Sequence, residues 1–222
     1  LNILNLQNTK YWMQCLALYP RNELLKDQFL EAFKESRKLD DLLTKNSKRK
    51  IIIGALYTDT PNFPIDIINK RERYSKWFEI EDGYLCPFLK CPNVNCLGDL
   101  VWSKRNIEKE NEKLECITCN FQIDSDEIRL SRIAMRRNPP DILFTSIEFL
   151  NQNLSEISYR KLFGANYSFK SPDMVLLDEV HTYNGTHGAQ VSYLLKRYKK
   201  IIGNNKKLTF VGLSATLMDA QR

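Results

Sequence analysis

Nowhere in the 222 residues does an apolar run approach the roughly 18 needed to cross a bilayer as a helix, which excludes a helical membrane span within this sequence. Residues 1–10 carry scattered Asn and Gln and no small-residue cleavage site, so they do not read as an export signal and a cytoplasmic location is expected. There is no internal repeat and no low-complexity segment, which excludes a solenoid and a compositionally disordered chain. Charge of one sign is not in large excess. Lys plus Arg is 33 against 27 Asp plus Glu, a net of +6. That surplus permits a polyanionic partner without requiring one. Histidine is nearly absent, at two residues, so a metal site built on imidazoles is not on offer. The first residue is not methionine, and a fragment of a longer protein is the expectation.

What is present is ordinary for a globular protein, with 43% hydrophobic and 27% charged residues and enough chain for one or two cores. Near-continuous apolar runs at 11–19, 51–57, 142–145, 174–177 and 208–213 read as buried strands. Between them, helical spacing predicts helices over 23–38, 124–137, 146–154 and 188–202, with Ser146 as an N-cap. Residues 62–84 mix aromatics and charges irregularly. Apolar strands alternating with amphipathic helices predict an α/β fold, a parallel sheet covered on both faces. Ligands of such sheets sit at the C-terminal strand ends.

Six cysteines occur, and five fall in one short segment. Cys91-x₄-Cys96 and Cys116-x₂-Cys119 are two short-spaced pairs separated by a hairpin's length, the plan of a zinc ribbon closing a tetrahedron of four thiolates around Zn²⁺. Residues 100–102 and 113–115 would be ribbon strands. Cys86 precedes a proline as Cys91 does and competes as a ligand, but pairing it with Cys91 would strand Cys96. Cys15, alone in an apolar run, reads as a buried thiol. Four thiolates leave no open position, so the metal would be structural.

Strand 174–177 runs straight into Asp178, Glu179, Val180 and His181. Adjacent carboxylates at the end of a buried strand suit nucleotide hydrolysis, one holding Mg²⁺ and the next activating water, although an acidic pair capping the next helix would look the same. Strand 208–213 ends in Ser214, Ala215 and Thr216. Together these segments, DEVH and SAT, resemble motifs II and III of the DExH-box helicases. YPRNELLKDQ, from Tyr19, resembles motif Ia, and DILFTSIE, from Asp141, resembles motif Ib, in the family's order. YPRNELLKDQ and DEVHTYNGTHGAQVSYLLKR resemble in particular the large bacterial helicases with a C-terminal zinc-binding module. These include phage-defence helicases of the DISARM, Druantia and deazaguanine DNA-modification systems, and a DNA-repair helicase.

The resemblance, which covers nearly the whole chain except the cysteine segment, implies a RecA-like, P-loop NTPase domain, into which the zinc ribbon read from the cysteine spacing would be inserted. The first part would occupy 1–82, the ribbon 83–123 and the second part 124–222. It implies ATP as cofactor, Asp178 on Mg²⁺, Glu179 as catalytic base and His181 sensing the nucleotide. Ser214, Ala215 and Thr216 would couple hydrolysis to movement. Pro20, Arg21, Asn22, Gln28, Thr145 and Ser146 would follow the phosphate backbone of a nucleic acid, DNA in preference to RNA. Other implied partners are a second RecA-like domain of the same polypeptide and proteins of a defence or repair complex, with no membrane. The sequence departs from the family in two respects: no Gly-Lys-Ser or Gly-Lys-Thr loop, motif I, occurs in it, and motifs IV to VI of the second domain are absent from it. Arg129, Arg132 and Arg136 share a face of the helix expected at 124–137, and Lys196, Arg197, Lys199 and Lys200 crowd another. Each face is either solvated or a phosphate contact. The alternative to a motor is a non-catalytic zinc-ribbon nucleic-acid-binding protein with a vestigial acidic motif.

Overall fold

The computed structural model describes residues 6, 11–165, 170–203 and 207–214. In chain order the elements are β1 (Cys15–Tyr19), α1 (Asn22–Arg37), α2 (Asp40–Lys45), β2 (Ile53–Leu56), α3 (Asp66–Asn69), β3 (Glu79–Ile80), β4 (Gly83–Lys90), β5 (Asp99–Ser103), α4 (Lys104–Glu108), β6 (Leu114–Cys116), β7 (Gln122–Ile123), β8 (Ile128–Arg129), α5 (Arg132–Arg137), β9 (Ile142–Ser146), α6 (Ile147–Asn153), β10 (Met174–Leu177), α7 (Gly185–Ile202) and β11 (Thr209–Gly212). Among the described residues no helix is long and apolar enough to cross a membrane.

Two sheets form. One has six strands in the order β11-β10-β1-β9-β2-β8, every pairing parallel. The other has five strands in sequential order β3-β4-β5-β6-β7, every pairing antiparallel. The expected parallel α/β sheet is present, with the cysteine segment folded as a separate antiparallel ribbon between β2 and β8.

Strand periodicity divides the parallel sheet between two cores. In β1, Ala17 and Tyr19 face one apolar cluster, whereas Leu16 and Leu18 face the other. Helix α1 covers the first face with Leu25, Phe29 and Phe33, one turn apart each time. Helix α7 covers the second with Val191, Leu194, Tyr198 and Ile202, and the Tyr198 hydroxyl donates to the Phe163 carbonyl at 2.8 Å. The antiparallel sheet packs its own apolar side chains, Phe88, Leu100 and Trp102 among them, into the cluster that α1 occupies.

The helix expected at 124–137 is shorter. Ile128 and Arg129 instead pair in parallel with Ile53 and Gly54, and α5 begins at Arg132 with the Ser131 hydroxyl accepting from Ala134 N at 3.3 Å. Edge pairing to β2 overrides local helical spacing. The supposed arginine face is therefore not one face. Arg129 is buried and donates to the Asn138 and Ile128 carbonyls. Arg132 donates to the Tyr57, Thr58 and Thr60 carbonyls, and Arg136 donates to Asn62 Oδ1 at 3.0 Å. These guanidiniums bind the chain to itself.

At the N-terminal edge of the parallel sheet, Asp141 is fully buried. Its carboxylate accepts from both terminal nitrogens of Arg49 at 2.5 and 2.7 Å, from Gln14 Nε2 at 2.7 Å and from Ile52 N at 2.9 Å. One side chain thereby ties together the entries of β1, β2 and β9. Removing one partner of such a set leaves a buried cation uncompensated. Asp141→Ala should cost about 3–5 kcal/mol in urea unfolding. Glu35→Ala, whose partner Lys38 lies 2.5 Å away on an exposed face, should cost under about 1 kcal/mol.

Candidate functional site

The C-terminal ends of β1, β9, β10 and β11 lie side by side, because the registers pair Tyr19 with Ser146, Leu18 with Leu177, and Leu177 with Gly212. The ladder continues past the strands: Asp178 N donates to Leu18 O at 3.0 Å, Leu213 N to Leu177 O at 2.8 Å and Val180 N to Leu213 O at 3.0 Å. Asp178 and Glu179 are thus anchored by backbone beside Ser214. Glu179 adopts a left-handed conformation, φ 52° and ψ 44°. That costs a residue with a Cβ about 1–2 kcal/mol, the kind of local strain that concentrates at functional sites.

The Glu179 carboxylate lies 3.1 Å from His181 Nε2, and His181 Nδ1 lies 2.9 Å from Ser214 Oγ. A neutral imidazole satisfies both, accepting from the hydroxyl at Nδ1 and donating from Nε2 to the carboxylate. Tyr19 and Tyr183 flank the acidic pair. Burial first, and then the charge of Asp178, pushes both phenols above their usual range. The Tyr183 hydroxyl is buried with no hydrogen-bond partner in the structure. Gly188 in the first turn of α7 admits this close packing, since a Cβ there would stand 2.4 Å from the Tyr183 carbonyl oxygen.

Across the same edge, Arg21 precedes α1 with an extended backbone and offers no side-chain cap, so the first N–H groups of α1 point outward uncapped. Asn22 Oδ1 is buried without a partner. Pro20 is half-buried, and Arg21 and Gln28 are exposed, Gln28 further along the same helix. Ser146 caps α6, its hydroxyl accepting from Phe149 N at 3.1 Å. Thr145 is different: it is fully buried and its hydroxyl donates to Leu56 O at 2.6 Å, a bond holding β9 to β2. Ala215 and Thr216 lie outside the described residues. The His181 bridge and the orphaned Asn22 oxygen were not legible in the sequence, because both depend on contacts made across the sheet.

The four cysteines Cys91, Cys96, Cys116 and Cys119 gather with all four sulfurs within 4.8 Å of one another. Cys91 Sγ and Cys119 Sγ are 3.6 Å apart, and Cys96 Sγ and Cys116 Sγ are 3.5 Å apart. A disulfide needs about 2.05 Å. A zinc tetrahedron with bonds of about 2.3 Å needs sulfurs about 3.8 Å apart, which these distances fit. The two turns are alike. In each, the residue after the second cysteine is left-handed, Leu97 at φ 50° and Asn120 at φ 57°. In each, the first cysteine's N–H donates to the carbonyl two residues past the second, Cys91 to Gly98 and Cys116 to Phe121, both at 2.8 Å. A Cβ on Gly98 would meet Thr118 Oγ1 at 2.5 Å, so the turns interlock only with glycine there.

Burial works against a thiolate at Cys116, but N–H groups of Cys119 and Thr118, together with the thiols of Cys96 and Cys119, bring it down to about 7. Burial pushes Cys15 and Cys86 up to about 12, and neither joins the cluster. A structural zinc is worth about 10–16 kcal/mol in small zinc domains. Whole domains are stable by about 5–15 kcal/mol. Metal binding at such a site would therefore be of the same order as the stability of the fold around it.

Residues 102–222 match the family model of the DEAD/DEAH box helicases. Over 142 residues, 63% of this chain, the sequence is 34% identical to the ATP-dependent helicase hrq1 of Schizosaccharomyces pombe, of whose length the chain spans 13%. The crystal structure of the DUF1998 helicase MrfA is similar with TM-score 0.44 and 15% identity, covering 93% of this chain and 20% of that one. MrfA bound to DNA is similar with TM-score 0.34 and 16% identity, covering 92% and 21%.

Purified protein should carry one equivalent of zinc. Cys116→Ser and Cys119→Ser should each lose it, whereas Cys15→Ser and Cys86→Ser should keep it, as read by metal analysis. Full zinc retention by Cys119→Ser would overturn the ligand set.

Proposed function

Because this chain belongs to the DEAD/DEAH box helicase family, we propose that its parallel sheet is the RecA-like motor unit of an ATP-dependent helicase or translocase acting on nucleic acid, DNA in preference to RNA. The observation that carries this reading is the meeting of Glu179, His181 and Ser214 at neighbouring strand ends. One imidazole there connects a carboxylate suited to proton abstraction with the segment that follows the adjacent strand. In this reading Asp178 holds Mg²⁺, Glu179 takes the proton of an attacking water, and His181 ties the state of Glu179 to Ser214, with Ala215 and Thr216 following. Bound Mg²⁺·ATP supplies the phosphoanhydride whose cleavage drives movement. The residues fit the metal side of that ligand. The phosphate side needs a glycine-rich loop with its lysine, which the 222 residues do not contain.

A motor that moves along any sequence must hold phosphates rather than base edges. The uncapped N-terminus of α1, with Arg21 and Asn22 beside it, and the N-terminus of α6 at Ser146 offer N–H groups for that purpose. Thr145 contributes by fixing the strand end. The four cysteines hold Zn²⁺ as a structural ion. A second RecA-like domain of the same polypeptide would complete the nucleotide site, and the phage-defence and repair helicases are the systems the sequence resembles. A cytoplasmic location agrees with four cysteines held as thiols.

In the full-length protein, Glu179→Gln should lower ATP turnover by about 10²–10⁴-fold while ATP and DNA still bind, because an amide keeps the shape but takes no proton. Near-normal turnover would remove Glu179 from this role. The 222-residue chain by itself should show no ATP hydrolysis, and any binding of single-stranded DNA should weaken steeply with salt. DNA-stimulated turnover by this chain, abolished by Asp178→Asn, would contradict the reading that hydrolysis needs a phosphate loop these 222 residues do not contain.

A further inference from the structure

Strand β4 of the cysteine ribbon lies against α1, and the rings at that junction form a continuous series. Trp102 meets Trp77 with centroids 5.6 Å apart, and Trp77 meets Phe88 at 6.0 Å. Phe88 then meets Phe29 of α1 edge-on at 5.5 Å, Phe29 meets Phe144 of β9 at 5.3 Å, and Phe144 stacks on Tyr19 of β1 at 5.7 Å. Edge-to-face and stacked arrangements at these separations are the geometries that aromatic pairs prefer, and they add to the stabilisation from burial. The ends of the series fall at the two functional regions. Tyr19 leads directly into Pro20, Arg21 and Asn22, and Phe144 leads into Thr145 and Ser146. At the other end, Phe88 lies on the strand that runs into Cys91, and Leu100, two residues before Trp102, is the cross-strand partner of Cys116. Cys91 and Cys116 are fully buried within the same apolar cluster as Phe29 and Phe88. The thiols of the cysteine cluster therefore belong to the same apolar core as the face of α1 that Phe88 covers. The C-terminal end of α1 is pinned by charge, with Arg37 donating to Ile51 O at 2.5 Å and pairing with Glu127 at 3.2 Å. Its buried side chains toward the N-terminus are Leu25 and Phe29, and packing holds them.

We propose that the metal bound by the four cysteines positions the loops that follow β1 and β9, through Phe88 bearing on Phe29, so that metal occupancy sets how firmly those loops are held. Phe88 is the positioning residue. The functional consequence, a link between zinc and nucleic-acid grip, rests on the assignment of those loops to nucleic acid. The structural consequence does not.

Amide hydrogen exchange of the zinc-loaded chain separates the two. Phe88→Leu keeps an apolar side chain and should keep one equivalent of zinc. Exchange in residues 21–25 and 146–150 should nonetheless speed up roughly tenfold, reflecting easier local opening. Chelation of zinc under reducing conditions should raise exchange in the same segments at least as much, and added zinc should restore it. Affinity for a single-stranded oligonucleotide should fall in parallel. Should Phe88→Leu fail to fold, the chelation arm decides alone. If both segments exchange as before once the metal is gone, while 91–98 and 116–121 exchange freely, the ribbon is an independent module and the proposal is overturned. If exchange responds but no form binds the oligonucleotide, the positioning stands and the nucleic-acid assignment falls.

Discussion

Helix α1 must bury an apolar stripe on two surfaces at once, and the rest of the molecule is arranged around that requirement. Leu25, Phe29 and Phe33 are completely buried. One side of the stripe is covered by Phe144 of the parallel sheet and the other by Phe88 of the antiparallel ribbon. Burying each phenylalanine contributes about 1.5–3 kcal/mol, a sizeable fraction of what a domain has in hand. Neither sheet supplies the whole contact. The ribbon is an insertion in chain order, yet in packing it completes a core that the parallel sheet begins.

The parallel sheet in turn does two jobs at its two edges. Its N-terminal edge is locked by a buried carboxylate, Asp141, with every lone pair engaged by Arg49, Gln14 and Ile52 N. Satisfied in this way, the charge specifies which strands enter together. Its C-terminal edge carries the strain. Glu179 sits in a left-handed conformation, the Asn22 oxygen and the Tyr183 hydroxyl are buried without partners, and the first turn of α1 is uncapped. The Asn22 oxygen and the Tyr183 hydroxyl are buried polar groups that a ligand at this edge could compensate.

Internal pairing also accounts for the arginines expected on one helix face, solvated or in contact with phosphate. Arg129 lies in the interior near Glu112, whose carboxylate accepts from Leu130 N at 3.2 Å and Ser131 N at 2.7 Å. Burial raises the pKa of Glu112 and lowers that of Arg129; their mutual attraction opposes both effects, and hydrogen bonds from Ser131 and Leu130 oppose the first. The three arginines that helical spacing placed on one solvent face are brackets between β8, α5 and the segment after β2.

By itself, the sequence determined what depends on neighbours along the chain. Apolar runs located five of the six strands of the parallel sheet, one-turn spacing located α1 and α7, and the acidic pair fell at a strand end because a buried run stops where charge begins. Paired cysteines located the two turns of the cysteine cluster, since a tight turn needs only its own few residues to bring two thiols together. The tertiary structure decided what depends on partners far away. It placed Ile128 and Arg129 in a strand, because β2 offered an unpaired edge that local propensity could not foresee. It committed the Thr145 hydroxyl to Leu56, 89 residues distant, and joined His181 to Ser214 across 33 residues. It left Cys86 in the apolar core and set Cys91 and Cys116 into that same core, which also holds the buried face of α1. Local spacing fixes which way a side chain points from its own backbone, but what it meets there is set by packing the whole chain at once.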